Sequence, residues 1–432
     1  MKRNNTVLVV DGGGRGAVLV HKYSLSKHVG KLIAVPGNDL MKINCKKSLK
    51  IFPSLKTTSI KEIIEICKKE KVDLVDVAQD NAVEVGLTDE LNKEGISAIG
   101  PTRLAGQIEW DKSWSRDFMK KNNISIPGYK IFSSKNEAKQ YVSRNPNKKF
   151  FIKVSGLADG KGAIPAQNKE EALLAIDQMS KFGKAGENFI IEDWLEGEEF
   201  STFAICDGET SQIIGSAQDH KRLNDGDLGP NTGGIGASSP PKVLNKNIYK
   251  QVVQIIKKTI NGLAKEGRPY KGILYLGAIL VNGKVYVIEF NSRWGDPEAE
   301  VLIPGVMNDL FELSTLAING KLKKIKVVMD KKTRIAVTGS LRNGVPTKNR
   351  ELFGLKKVLG TPGIKIYGSR VTKSNGKFYV SAGRLFHLVA EGKTILEVRE
   401  KAYKAMSQLY IEGNNLHYRT DIGWRDVERE KI

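Results

Sequence analysis

The chain has 432 residues, 40% hydrophobic and 27% charged, a balance that excludes wholesale disorder and supports a sizeable core. At about 150 residues per domain, the length predicts roughly three domains. Lys and Arg number 69 against 48 Asp and Glu, a net charge of +21, but the lysines are scattered rather than blocked, which favours a general lysine-rich bias over nucleic-acid binding; a phosphate-rich substrate fits either.

The first hundred residues alternate strand and helix. Thr6–Val10 is an apolar strand that runs into Asp11-Gly12-Gly13-Gly14-Arg15-Gly16-Ala17 and a helix to about Lys27. Lys31–Val35 is a second strand, closed by Pro36-Gly37-Asn38. Ile60, Ile63, Ile64 and Cys67 repeat at helical spacing, and Asp73–Ala78 and Ile96–Ile99 are two more strands with a helix between them. This alternation predicts an α/β fold with a parallel doubly wound sheet that gathers ligands at its carboxyl edge. From about Trp110 the character changes. Lys112–Asn122 reads as helix, Asn123–Pro127 as linker, and Phe150–Val154 as a strand entering a glycine loop, Gly156–Gly162. Glu170–Lys181 is a helix; Asn188–Ile191 and Phe200–Cys206 are strands. Gln218–Ser239 is polar and Gly-rich and is expected to lie outside the core. Ile248–Ala264 is an amphipathic helix, and Gly272–Phe290 a hairpin turning at Asn282-Gly283. The last hundred residues carry strands at Thr333–Thr338, Val380–Ala382 and Arg384–Val389 and a helix at Thr394–Tyr410.

Cys45, Cys67 and Cys206 form no CxxC pair, so neither a disulfide framework nor a zinc site is expected. Met1–Asn5 is too polar for a signal peptide. The longest uncharged apolar run, Gly272–Val281, falls far short of the roughly 20 residues of a membrane helix. A cytoplasmic protein with no membrane partner is predicted.

Gly12-x-Gly14-x-x-Ala17 follows a strand and opens a helix, which suits an anion but equally a ligand-free turn. The second strand ends in Pro36-Gly37-Asn38 without an acid, so a sugar phosphate fits better than a dinucleotide. Lys153 and Lys161 flank the second glycine loop, as triphosphate binding requires, although the spacing is not that of a P-loop. Glu289 and Asn291, two apart at a strand end, share a face and carry oxygen ligands for magnesium; a buried acid paired with lysine is the plainer alternative. Glu192-Asp193-Trp194-Leu195, trailed by Glu198-Glu199, suits an adenine edge and a ribose, or simply solvated acids. Gln218–Arg222 and Gly229–Gly234 form a long polar loop of the kind that is usually functional. Within it His220 fits a general base or a neutral loop histidine equally. Arg293 and Asp296 suit a carboxylate and an amine. No Ser/His/Asp or Cys/His set indicates a covalent nucleophile.

Together these segments resemble the ATP-grasp ligases, and within them the phosphoribosylamine–glycine ligase family of purine synthesis. The likeness runs nearly end to end and is carried by Pro36-Gly37-Asn38, Gly100-Pro101-Thr102, Asp111-Lys112-Ser113, Lys153–Gly162, Glu196-Gly197-Glu198-Glu199, Gln218–Arg222, Gly226–Gly234, Glu289-Phe290-Asn291, Arg293–Glu298 and Tyr418–Gly423. The resemblance implies a parallel α/β domain over 1–104, an α+β ATP-grasp domain over 105–328 with a small lid at about 126–193, and a small mixed α/β domain over 329–432. It implies that Lys112, Lys153, Gly160, Lys161 and Gly162 contact ATP phosphates, that Glu192 and the Leu195 backbone hold adenine, and that Glu199 holds ribose. Glu289 and Asn291 would bind Mg2+, with Mn2+ as an alternative. Gly13, Gly14, Asn38 and Asp80 would take phosphoribosylamine. Asp219, Lys221, Pro230, Asn231, Thr232, Gly233 and Arg293 would line the glycine and amine sites. Lys153, Asp219, Arg293 and Asp296 would carry catalysis in a monomer acting on glycine, phosphoribosylamine and ATP.

Three departures stand out. The family's Gly-Gly-Arg-Glu-His-Ala is Gly13-Gly14-Arg15-Gly16-Ala17-Val18 here, its Gly-Pro-Glu is Ala78-Gln79-Asp80, and its Phe before Gly-Asp-Pro-Glu is Trp294. The resemblance implies that glycine carboxylate attacks the γ-phosphate of ATP and that the amine then displaces phosphate from glycyl phosphate in a closed site. The alternatives are an ATP-grasp ligase with another amine or carboxylate, and a nucleotide-binding module without catalysis or a basic nucleic-acid binder.

Overall fold

The computed structural model describes residues 4–158, 162–342, 345 and 349–431. β1 (Asn5–Asp11), β2 (Val29–Pro36), β3 (Ser48–Ile51), β4 (Leu74–Val77) and β5 (Ala98–Ile99) form a parallel sheet in the order β3-β2-β1-β4-β5. Val7–Val10 are fully buried, as a parallel strand covered on both faces must be. Val7 and Val9 pack with the helix Gly14–Ser24, and Leu8 and Val10 with the opposite helix Ile60–Glu70. The chain order reverses at β1, between β2 and β4, and the loops leaving these three strands carry Gly12-Gly13, Pro36–Asn38 and Gln79-Asp80. That is the crevice where such sheets bind ligands.

One buried acid in this sheet sets a pH dependence. Asp76 of β4 accepts a hydrogen bond from Tyr23 Oη at 2.9 Å. Burial lifts its carboxyl to about 7, opposed by the Tyr23 hydroxyl and reinforced by nearby Asp11. An unfolded Asp titrates near 3.9, so the folded chain binds the extra proton between about pH 4 and 7, and stability falls as pH rises through that window. Asp76→Asn keeps an acceptor for Tyr23 without the charge. It is expected to gain on the wild type as pH rises, by up to about 4 kcal/mol at pH 8. Urea melts at pH 4.5 and pH 8 measure this; a variant–wild-type difference that ignores pH refutes it.

A second sheet, four-stranded, is antiparallel in the order β6-β9-β7-β8: β6 (Tyr129–Phe132), β7 (Phe150–Val154), β8 (Ala163–Ala166) and β9 (Phe189–Asp193). The helices Lys135–Ser143 and Lys169–Gln178 cover one face through Ala138, Val142, Ala172 and Ile176.

The largest sheet begins with β10 (Glu198–Asp207) and β11 (Ser211–Asp219). A small hairpin, β12 (Arg222–Asn224) and β13 (Leu228–Asn231), stands off it. β14 (Gly236–Ser239), β15 (Lys271–Val281), β16 (Lys284–Asn291) and β17 (Thr333–Leu341) complete its first part. After β18 (Arg350–Phe353) come β19 (Ile364–Gly368), β20 (Val371–Ser374), β21 (Lys377–Val380) and β22 (Arg384–Gly392). The path is β16-β15-β10-β11-β14-β17-β22-β19, so one sheet runs from the hairpin through to the C-terminal strands.

Two sequence expectations need correction here. Gln218–Ser239 is not wholly outside the core: Gln218, His220, Ile235, Ala237 and Ser238 are buried, because β14 is the strand joining β11 to β17. The strand expected at Val380–Ala382 lies instead at Lys377–Val380, paired with Val371–Ser374.

Candidate functional site

The strands converge on one cleft of ≈ 1930 Å³. β7, β9 and the Trp194-Leu195 exit form one wall; the ends of β11 and β16 and the β12–β13 hairpin form the floor; the carboxyl edge of the parallel sheet closes the far end. Lys153, Glu192, Leu195, Glu199, Glu289 and Asn291 all line it, as do Lys112 and Gly162. So do Gly13, Asn38, Asp80, Asp219, Lys221, Pro230–Gly233, Arg293 and Asp296. Gly160 and Lys161 lie outside the described residues. Gly14 does not line the cleft.

Lys153 is buried at the end of β7, 2.7 Å from Glu192 on the neighbouring β9. Glu192 also accepts from Arg116 Nε. Burial would raise the Glu192 carboxyl, but Arg116 and Lys153 outweigh it and hold it down at about 2. Its carboxylate is therefore spent on orienting two cations. Beside it Trp194 stacks on Phe151 (4.4 Å between centroids), making a flat apolar wall next to Leu195. Lys112 opens a helix capped by Asp111, and its Nζ donates to Gly156 O at 3.1 Å. Asp111 Oδ1 also accepts from Ser155 Oγ, so Lys112 is tied to the start of the glycine loop. Burial pulls the Lys112 ammonium down, against Glu289 and Glu109.

Glu289 and Asn291 share a face of β16 despite the irregular register opposite Gly277-Ala278. Asn291 Nδ2 donates to Glu109 Oε1 at 2.8 Å, which leaves its Oδ1 to face the cleft. Glu109 Oε2 accepts from Ser292 N and Oγ, and Glu109 Oε1 lies 3.1 Å from Arg293 Nη2. One buried acid thus sets the whole Asn291–Arg293 turn. Sequence reading missed Glu109 and Arg116: each sits in an ordinary amphipathic helix, and only long-range pairing reveals its role. Arg116 Nη2 also donates to Ile288 O, locking β16 to the helix Lys112–Lys121.

Asp219 ends β11. Its Oδ1 is buried with no hydrogen-bond partner among the described residues, 2.8 Å from where a Cβ on Gly234 would stand. Gly234 has φ +102, and a side chain there would also strike Pro297, so glycine lets this turn close against the Asp296-Pro297 segment. Burial and the neighbouring Glu298 raise the Asp219 carboxyl well above its usual range. Two acids facing the cleft without a cation between them suit a bound ammonium. Lys221 and Glu199 pair at 2.6 Å on the same floor. His220 is the neutral structural histidine of the two readings: fully enclosed, it accepts from Gly423 N–H at 3.0 Å, and burial and Arg419 push it down to about 3.

The first glycine loop differs from an open anion cradle. The Asp11 carboxylate accepts the amides of Gly13 and Gly16, and Ser369 Oγ accepts that of Gly14. Arg15 pairs with Asp11 at 2.8 Å and donates to Trp294 O. A Cβ on Gly16 would stand 2.8 Å from Asp11 Cβ, so Asp11 occupies the room that a larger residue at 16 would need. Of the other departures, Asp80 lies 3.8 Å from Arg293 Nη2, keeping a carboxylate there, and Trp294 is a packing residue stacked near Phe203.

A four-stranded antiparallel sheet facing a larger antiparallel sheet, with Lys153 on one and the Glu289 and Asn291 oxygens on the other, defines an ATP-grasp enzyme. Models of the phosphoribosylglycinamide synthetase N, ATP-grasp (A) and C domains match residues 5–109, 110–299 and 344–425. Phosphoribosylamine–glycine ligase of Streptococcus pneumoniae R6 is 37% identical over 98% of this chain and 100% of its own. The Brucella melitensis enzyme of that name is 34% identical over 98% and 99%. The crystal structure of phosphoribosylamine–glycine ligase from Thermotoga maritima superposes with TM-score 0.80, at 27% identity over 97% of this chain and 100% of that one. The chain belongs to the phosphoribosylamine–glycine ligase family and is an ATP-dependent ligase. The biotin carboxylase domain of Hydrogenobacter thermophilus 2-oxoglutarate carboxylase shares the fold, with TM-score 0.74 at 14% identity over 97% of this chain and 92% of that one.

Proposed function

We infer that this cleft joins glycine to 5-phosphoribosylamine at the expense of ATP, giving glycinamide ribonucleotide, ADP and phosphate for purine synthesis. The observation that carries this is the convergence, in one cleft, of the Lys153 ammonium, the Glu289 and Asn291 oxygens and the unpaired Asp219 carboxylate. Adenine lies against Trp194 and Leu195, with Glu192 holding Lys153 in place, and Glu199 serves the ribose. Lys112 and Lys153, with Gly162, face the phosphates. Glu289 and Asn291 fit Mg2+, which takes few protein ligands and completes its shell with phosphate oxygens; when bound it neutralises developing charge on the phosphates.

Asp219 and Glu298 receive the glycine ammonium and Arg293 its carboxylate, with Lys221 and Pro230–Gly233 enclosing them. Glycine carboxylate oxygen attacks the γ-phosphorus as the bond to ADP breaks. Lys112 and Lys153 stabilise the charge that moves onto the leaving ADP. Gly13, Asn38, Asp80 and Asp296 border the amine substrate, whose nitrogen then bonds to the glycyl carbonyl carbon while phosphate departs. Holding both partners in one cleft supplies proximity and keeps water off the acyl phosphate.

We take the chain as three units, 1–104, 105–328 with a lid at about 126–193, and 329–432, acting as a cytoplasmic monomer. No helix among the described residues is long and apolar enough to cross a membrane. ADP release with glycine and phosphoribosylamine omitted in turn tests the reading. Release must require glycine, and glycine with hydroxylamine must yield glycyl hydroxamate. Turnover indifferent to glycine refutes it.

A further inference from the structure

Asp296 meets the cleft from one side and the C-terminal strands from the other. Its Oδ2 lies 3.3 Å from where a Cβ on Gly13 would stand, at the carboxyl edge of the parallel sheet. Its Oδ1 lies 3.0 Å from His387 Nε2 and 2.9 Å from Arg384 Nη1, both carried by β22. His387 is fully buried and does not line the cleft. Its other nitrogen, Nδ1, is 2.9 Å from Thr338 Oγ1 on the adjacent β17, which fixes the ring plane. Nε2 also lies 3.4 Å from Ser369 Oγ, the acceptor of the Gly14 amide. Of the five histidines in the chain, His387 is the one whose ring meets a cleft carboxylate among the described residues.

Glu300 stands behind the ring, its Oε1 3.9 Å from Nε2. It is fully buried, and neither of its oxygens has a hydrogen-bond partner among the described residues. Burial, Asp296 and to a lesser degree the opposed Arg384 and Arg15 act on it, and its carboxyl is raised well above the usual range. Asp296, 3.0 Å from Nε2 against 3.9 Å for Glu300, is the nearer carboxylate to the imidazole. The three groups have a metal-ligand arrangement, but the Arg384 cation already stands against Asp296 Oδ1, which disfavours a second cation there.

Resting on the ligase reading above, we propose that His387 is a positioning residue for the amine substrate: its Nε2 edge, 3.0 Å from Asp296 Oδ1, and the Arg384 cation, 2.9 Å from it, hold that carboxylate by close polar contact so that Oδ2 faces the nitrogen of phosphoribosylamine beside Gly13. Two consequences follow from the geometry. The last strands of the chain take part in recognising the amine without touching it. The half-reaction that needs only glycine and ATP does not depend on His387.

His387→Gln and His387→Leu test this in the full-length enzyme. Gln can place an N–H where Nε2 stands, beside Asp296; Leu fills similar space and carries none. In His387→Leu, KM for phosphoribosylamine is expected to rise at least about tenfold, the scale of one lost polar contact to a buried carboxylate. KM for ATP and glycine, and glycyl hydroxamate formation, should stay within about twofold. His387→Gln should recover most of the lost KM. Equal KM for phosphoribosylamine in Leu variant and wild type overturns the proposal. So does a Leu variant that loses hydroxamate formation and amide formation alike while its melting curve is unchanged. If both variants fail to fold, Thr338→Val, which frees the ring at Nδ1, must raise the same KM, and an unchanged value overturns the proposal. Wild-type enzyme that forms no hydroxamate would instead refute the ligase reading itself.

Discussion

Lys153→Met is expected to cut glycine-dependent ADP release by about a hundredfold or more, the scale of removing one preorganised charge from a phosphoryl-transfer site. The fold should survive. Methionine fills the space of the alkyl stem, and Glu192, deprived of Lys153, keeps Arg116. Leaving a buried acid with no partner is what destabilises strongly, and that does not happen here. ADP release and thermal melting, each measured with and without ATP, separate the two effects. Wild-type stabilisation by ATP should shrink in the variant, since a ligand that binds only the folded state adds stability by mass action. Turnover within tenfold of wild type would show that the triphosphate lies elsewhere. The complementary variant, Arg116→Met, leaves Lys153 in place but frees Ile288 O and one side of Glu192, so it should damage stability more than Lys153→Met does.

The second large effect concerns Arg419, whose side chain is wholly buried between the C-terminal segment and the β12–β13 hairpin. Its Nε and Nη2 each reach Asp421 at 2.7 Å, and its Nη1 reaches Asp227 at 2.8 Å and Arg222 O at 3.1 Å. Asp421 in turn accepts from Gly226 N–H. The Asp421 carboxyl is raised by burial but held down at about 2 by Arg419. Arg419→Met leaves Asp421 without a cation and Asp227 with Arg425 alone. We expect a loss of about 3–5 kcal/mol and an apparent Tm lower by about 5 °C. We also expect a raised KM for glycine, because the hairpin leads directly into Pro230–Gly233. Adding Asp421→Asn should return part of the lost stability, since the cost lies in that stranded charge. An Arg419→Met protein that melts like wild type at pH 7 would contradict this account.

Asp421 has a folded carboxyl below its unfolded value, so its contribution is present above about pH 4 and is lost as pH falls toward 2. Asp76 runs the other way, costing stability as pH rises toward 7. The wild type is therefore pressed from both sides.

Local patterns were enough to place the parallel sheet, the Asn282-Gly283 hairpin, the lysine at the end of β7 and the oxygen pair on β16. Each depends on short-range chemistry: an apolar run between turns, a two-residue turn preference, or two residues on one face of a strand. Glu109 and Arg116 were invisible in the sequence because their partners lie far along the chain and nothing in an amphipathic helix marks a residue that will meet a distant strand. The same holds for His387, which looked like one residue of an ordinary strand until the fold set it 3.0 Å from Asp296. His220 had looked the more chemical histidine, and its enclosure by β14 and Gly423 made it structural. The first glycine loop likewise read as free backbone, yet Asp11 and Ser369 consume its amides. What the sequence determined alone were the elements and the kinds of chemistry they carry. Which charges meet, and which are left unpaired for a substrate, only the tertiary structure decided, because electrostatic pairing depends on distance in space and on exclusion of water, neither of which is encoded at any one position.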